Sequence, residues 1–125
     1  MSVWTHVCGC IRVDDIPHKD FDRAADIRRI MGNIIDWGSW SEGGTKLPCG
    51  SEGSLKYEIL QNPSESSIAR FTIPIWGDLR DYNDDKEIEE WFNDVCSQMW
   101  IRDAVININV EGGVNRSVVY KQNEQ

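Results

Sequence analysis

The chain has 125 residues, with 13 Lys plus Arg against 21 Asp plus Glu and a net charge of −8; that length sets a single domain able to bury a core without metal or disulfide help. So acidic a chain lacks the positive charge that counterion exchange on phosphates requires, which argues against direct nucleic-acid binding and favours solubility, basic partners or mimicry of a polyanion. No stretch approaches the roughly 18 apolar residues of a membrane helix, and MSVWTHVCGCIRV has no basic segment leading into an apolar core, so the expectation is a soluble cytoplasmic protein without membrane contact.

Residues 2–13 alternate, with Val3, Thr5, Val7, Ile11 and Val13 on one face and Trp4, His6, Cys8, Cys10 and Arg12 on the other. That is a strand with few strongly polar positions, and its place is central. Asp14 to Lys19 turns around Pro17, and Asp20 is suited to cap a helix over 21–32 whose Phe21, Ala24, Ala25, Ile27, Ile30 and Met31 form an apolar stripe. Gly32 and Asn33 supply the stop. From Asn33 to Gly53 no period is sustained, and the segment reads as a long connection of the kind that is often functional, carrying Trp37 and Trp40.

Leu55, Tyr57 and Ile59 then alternate with polar residues, QNPSESS turns the chain, and Ala69, Phe71, Ile73 and Ile75 alternate again, which predicts a hairpin. Pro74 cannot donate to a ladder and predicts an edge or a bulge. The strongest period places Ile88, Trp91, Phe92, Val95 and Met99 on one face of a helix over 85–99. Ala104, Ile106, Ile108 and Val110 mark a strand, EGGV a hairpin turn, Val114 to Tyr120 a last strand, and 121–125 a frayed tail after a domain of 1–120. The order β-α-β-β-α-β-β predicts an α+β fold, a ferredoxin-like split β-α-β-β-α-β with an additional C-terminal strand and two helices on one face of an antiparallel sheet.

IWGDLRDYNDDKEIEEWF contains Asp81, Asn83 and Asp85 at calcium-loop spacing, but Lys86 and Phe92 stand where such a loop needs glycine and a bidentate glutamate. Asp84 followed by Glu87 is instead a capping-box-like helix start. Eight acids lie between Asp78 and Asp94, and helical spacing puts Glu87, Glu90 and Asp94 on the face opposite the apolar stripe. They predict a docking surface for a host protein with a basic surface, with Trp37 and Trp40 as further contacts.

Other chemistry is weaker. His6, Cys8 and Cys10 share a strand face, with Cys49 as a fourth soft donor, but the spacing is not that of a zinc knuckle and no cofactor is called for. Without a secretion signal, Cys8, Cys10, Cys49 and Cys96 are expected as reduced thiols. Gly50, Ser51, Gly53 and Ser54, with Arg80, could form an anion nest for a nucleotide, although the glycine run leads into a strand rather than a helix. No triad, HExxH or deaminase signature is present, so no catalytic residue is assigned.

Together SVWTHV, LPCGSEGSL and IPIWGDLRDY resemble small, poorly characterised proteins encoded by phages and prophages. The resemblance covers about a third of the chain and carries no activity; it implies an accessory or anti-defence binder in the host cytoplasm. The expectation is thus a non-enzymatic acidic binding protein, with a nucleotide sponge as the alternative, a thiol or metal site as the third, and a homodimer through edge strands open to it.

Overall fold

The computed structural model describes residues 3–16, 22–32, 47–62, 70–82 and 84–120. Its elements are β1 (Trp4–Asp15), α1 (Arg23–Met31), β2 (Lys56–Tyr57), β3 (Leu60–Gln61), β4 (Phe71–Arg80), α2 (Asp85–Ser97), β5 (Trp100–Val110) and β6 (Asn115–Val119). All strand pairs are antiparallel, and β1 lies at the centre between β4 and β5. The alternation in β1 does what it predicts: Thr5, Val7, Ile11 and Val13 are buried, while Cys8 and Arg12 are exposed.

One face of the sheet carries the core. Ile11, Ile73, Ile75, Ile106 and Ile108 meet Ile27 and Met31 of α1 and Ile88, Phe92 and Val95 of α2. The two helices are joined within that core, since Trp91 Nε1 of α2 donates to the Met31 carbonyl at 3.2 Å. That carbonyl is among the last four of α1, which have no partner inside the helix. Asp84 caps α2 by accepting from the Glu87 amide at 3.1 Å, as the capping-box spacing predicts. The cap of α1 is Asp22, which accepts from the Ala25 amide, and its stop is Gly32; the Asp20 cap and the Asn33 end of the predicted helix lie outside the described residues.

The topology corrects the sequence-based expectation. The class is α+β, but the strand order β2-β4-β1-β5-β6, with β3 joined to β4 off that path, is not the ferredoxin-like split. Among the described residues six strands stand where the sequence predicts five, because the predicted strand at 55–59 is replaced by two two-residue pieces. Pro74 is the physical cause. The registers Tyr57↔Ile75 and Leu60↔Thr72 bring Glu58 opposite Pro74. The Glu58 amide donates to the Pro74 carbonyl at 3.3 Å, but proline has no N–H to return. Nor is Pro74 itself on an edge strand: β4 is interior, and the missing donor faces outward, so only the short outer pieces are interrupted.

The β5 strand also starts earlier than its alternation predicts. Ile101 and Ala104 are both buried although three residues apart, which requires the register shift recorded opposite Arg12 to Asp15. The Gly112–Gly113 turn then returns the chain into β6, with the Val110 amide donating to the Val114 carbonyl at 2.7 Å.

Candidate functional site

Three surfaces carry the residues that the sequence singles out. The first is α2. Its inward face, Ile88, Trp91, Phe92, Val95 and Cys96, is buried, so Glu87, Glu90 and Asp94 are left exposed on the outside. The acids of this helix divide into two groups. Arg116 on β6 donates through Nε to Asp85 Oδ2 and through Nη1 to Glu89 Oε1, both at 2.8 Å. Those two carboxylates share one cation, whereas no cation among the described residues lies within ion-pair distance of Glu87, Glu90 or Asp94. Their field is felt nearby: the Tyr82 hydroxyl is pushed up first by burial and then by the charge of Glu87. Trp37 and Trp40, predicted to join this surface, lie outside the described residues.

The second is the side of the sheet that the helices leave open. On it His6 is held between two carboxylates, with Nδ1 at 2.5 Å from Asp78 Oδ1 and Nε2 at 2.9 Å from Glu111 Oε2. Ionised carboxylates only accept, so both ring nitrogens must donate and the imidazole is held as imidazolium. The bonds to Asp78 and then Glu111 raise its pKa above the ordinary 6.5. The same bond from His6, followed by one from the Trp4 amide, lowers that of Glu111.

This clamp answers the metal reading. Both nitrogens of His6 are occupied, and its two carboxylates sit at opposite ends of the ring and do not converge. Cys8 and Cys10 follow on the same face, but Cys49 lies in a separate loop and pairs with Ser54. Among the described residues, no three His, Cys, Asp or Glu side chains are placed to hold one metal ion.

The third is the glycine run. Residues 49–54 form a strap laid against the end of β4, where Ser51 N donates to the Arg80 carbonyl and Arg80 N to the Glu52 carbonyl, each at 2.9 Å. Glycine is required twice. A Cβ at Gly50 would lie 2.3 Å from the Arg80 carbonyl oxygen, and Gly53 has φ +81° with the Asp78 carbonyl oxygen 2.1 Å from its missing Cβ. The Gly50 amide donates to the Gly53 carbonyl at 2.9 Å, so the amides of Gly50 and Ser51 that an anion nest would use already have protein acceptors. Arg80 is ion-paired to Glu52 at 3.1 Å and lies 3.9 Å from Asp81. Glu52, Asp78 and Asp81, each more than half exposed, form an acidic rim around this loop.

Recesses also lie elsewhere among the described residues. One of about 470 Å³ opens at the β2 edge beside Leu47, Leu55, Tyr57 and Trp76. Another of about 170 Å³ lies at the start of α1 between Arg23 and Arg70, but Asp15 already stands 3.4 and 4.0 Å from their guanidinium groups. The sequence reading missed the partners of His6 and the grip of Arg116. Each depends on strand register, which brings position 6 opposite 78 and places β6 beside α2, and no local pattern announces either. No family model, no curated protein and no solved structure matches this chain.

Proposed function

We propose that this chain is a non-catalytic binding protein that docks on a basic protein surface through the outward face of α2. The observation that carries this reading is the division of acids on that helix: Asp85 and Glu89 share Arg116, while Glu87, Glu90 and Asp94 stand exposed with no cation among the described residues within ion-pair distance. Uncompensated charge of one sign along about two turns of helix steers an oppositely charged partner and raises its association rate more than its final affinity. In its sharper form the ridge stands in for a nucleic-acid backbone before a protein that ordinarily binds one, which suits the accessory or anti-defence role implied by the phage-like resemblance.

The test is capture of a basic partner from host lysate, followed by kinetics against Glu90→Lys combined with Asp94→Lys. Both positions are solvent-facing and lie beyond the capped first turn, so the fold is retained. Association should slow by about ten-fold at low salt and lose most of its salt dependence. An unchanged rate and salt slope would refute the reading.

A further inference from the structure

We propose that the open face of the sheet docks a second copy of this chain, about a two-fold axis that lies in the interface, crosses the strands at right angles and passes between Cys8 and Cys10. The proposal is independent of the acidic ridge, which lies on the other side of the sheet.

The register lays this face out in rows. One row runs Lys56, Trp76, Cys8, Asn107, Ser117. The next runs Pro74, Cys10, Val105, Val119, with Glu58 beside Pro74. Flanking them are the row of Asp78 and His6 at one end and that of Thr72, Arg12 and Asp103 at the other. The apolar members are well exposed in the single chain, with Trp76 at 41%, Val105 at 43% and Val119 at 60%. They form one band across the middle of the face, which a monomer seldom leaves uncovered.

Extent and charge pattern both favour a copy. Five strands about 4.8 Å apart and seven residues about 3.3 Å apart cover roughly 24 by 23 Å. With side-chain relief that approaches the ~800 Å² that each partner contributes to a standard interface. The axis exchanges the two central rows, so Cys8 meets the partner's Cys10 and Trp76 lies on the partner's Pro74. It also sets Lys56 over the partner's Glu58 and Glu58 over the partner's Lys56. The His6 cluster, which remains anionic even with the imidazole protonated, falls over the partner's Arg12, whose guanidinium also bonds Asp103 of its own chain at 2.8 Å. A self-complementary patch of this kind is what an isologous contact needs, and two twisted sheets pack this way in sandwiches.

Sedimentation velocity under reducing conditions, from about 1 to 100 μM, reads the outcome. The native chain should dimerise. Trp76→Glu should be monomeric with an unchanged circular dichroism spectrum, and Val119→Lys, at the far edge of the band, serves if that variant misfolds. Lys56→Glu should weaken the dimer by about ten-fold, and adding Glu58→Lys in the same chain should restore it. A native monomer throughout the range overturns the proposal. So does a dimer that survives the substitution in the band, which would point to the β6 edge, or a double charge swap that fails to restore association.

Discussion

The contact between the helices sets a measurable cost for a single atom group. Trp91 is 7% exposed, and its indole N–H donates to the Met31 carbonyl at 3.2 Å in buried surroundings. Trp91→Phe keeps an aromatic ring in the core but removes the donor and part of the bicycle. Leaving a buried carbonyl without a partner costs about 1–3 kcal/mol. The lost volume adds about 1 kcal/mol at the usual cavity coefficient. The sum, about 2–4 kcal/mol, is a large part of the stability of a domain of this size. In urea, with a slope of about 2 kcal/mol per molar, it lowers the midpoint by about 1–2 M while the slope stays constant.

Tyr57→Phe is the control. Its hydroxyl donates at 3.0 Å to the Gly32 carbonyl at the same helix end but is partly open to solvent, so water replaces it and the loss stays below about 1 kcal/mol. Equal costs for the two variants, or a Trp91→Phe change below about 0.5 kcal/mol, would refute the idea that the end of α1 is held by α2.

Gly53→Ala forces a Cβ into positive φ and against the Asp78 carbonyl; it should destabilise by more than about 1 kcal/mol in thermal melts, and tolerance would show that the strap lifts freely. The His6 clamp has a defined pH window. The raised pKa of His6 means its contribution is complete below 6.5 and fades as pH rises through the folded value. The lowered pKa of Glu111 means its contribution is complete above 4.5 and fades as pH falls through its own folded value. Both are therefore fully made only between those values. Asp78→Asn should move the His6 titration in NMR downward, and an unmoved curve would contradict the imidazolium assignment. Thiol labelling of the folded, monomeric Trp76→Glu chain should separate the cysteines: Cys8, exposed in the single chain, reacts with iodoacetamide, whereas Cys96, buried and pushed up to about 12, reacts only on unfolding. Equal rates by peptide mapping would contradict the burial.

What could be seen in advance follows from how local each signal is. The α2 period, its Asp84 cap and the two faces of β1 depend on residues within a few positions of one another, and the structure places them as the spacing implies. The ferredoxin-like topology failed because pairing order is not local. The break at Glu58 required knowing that Pro74 would stand opposite it, and the early start of β5 required a bulge that puts Ile101 and Ala104 on one face. The site shows the same division. Glu87, Glu90 and Asp94 could be placed on an outer face by helical spacing alone, but that Asp85 and Glu89 share a cation depends on Arg116, which is 27 residues beyond Glu89 in the chain. The glycine run is ambiguous for a different reason. Glycines serve equally to cradle an anion and to let one backbone approach another, and only the acceptors at Arg80 and Gly53 distinguish the two uses.

The separation of surfaces bears on how the protein would engage a partner. The helices occupy one side of the sheet, and the acidic ridge points away from it; the apolar band occupies the other side. Pairing through the band therefore leaves both ridges facing outward, one on each side of a sandwich. Two ridges on one rigid body convert the second contact with a repeated or dimeric basic partner into an intramolecular step, which raises avidity without any new contact. The same geometry predicts which perturbations separate the two properties. A variant in the band halves the valency yet leaves each ridge intact, so its single-site association rate persists; a variant in the ridge lowers that rate while the assembly state holds. Arg116 lies on the helix side with the ridge, and its bonds to Asp85 and Glu89 fix β6 to α2. It leaves the carboxylates that have no nearby cation among the described residues at the outermost positions of the helix, where the proposed partner would meet them first.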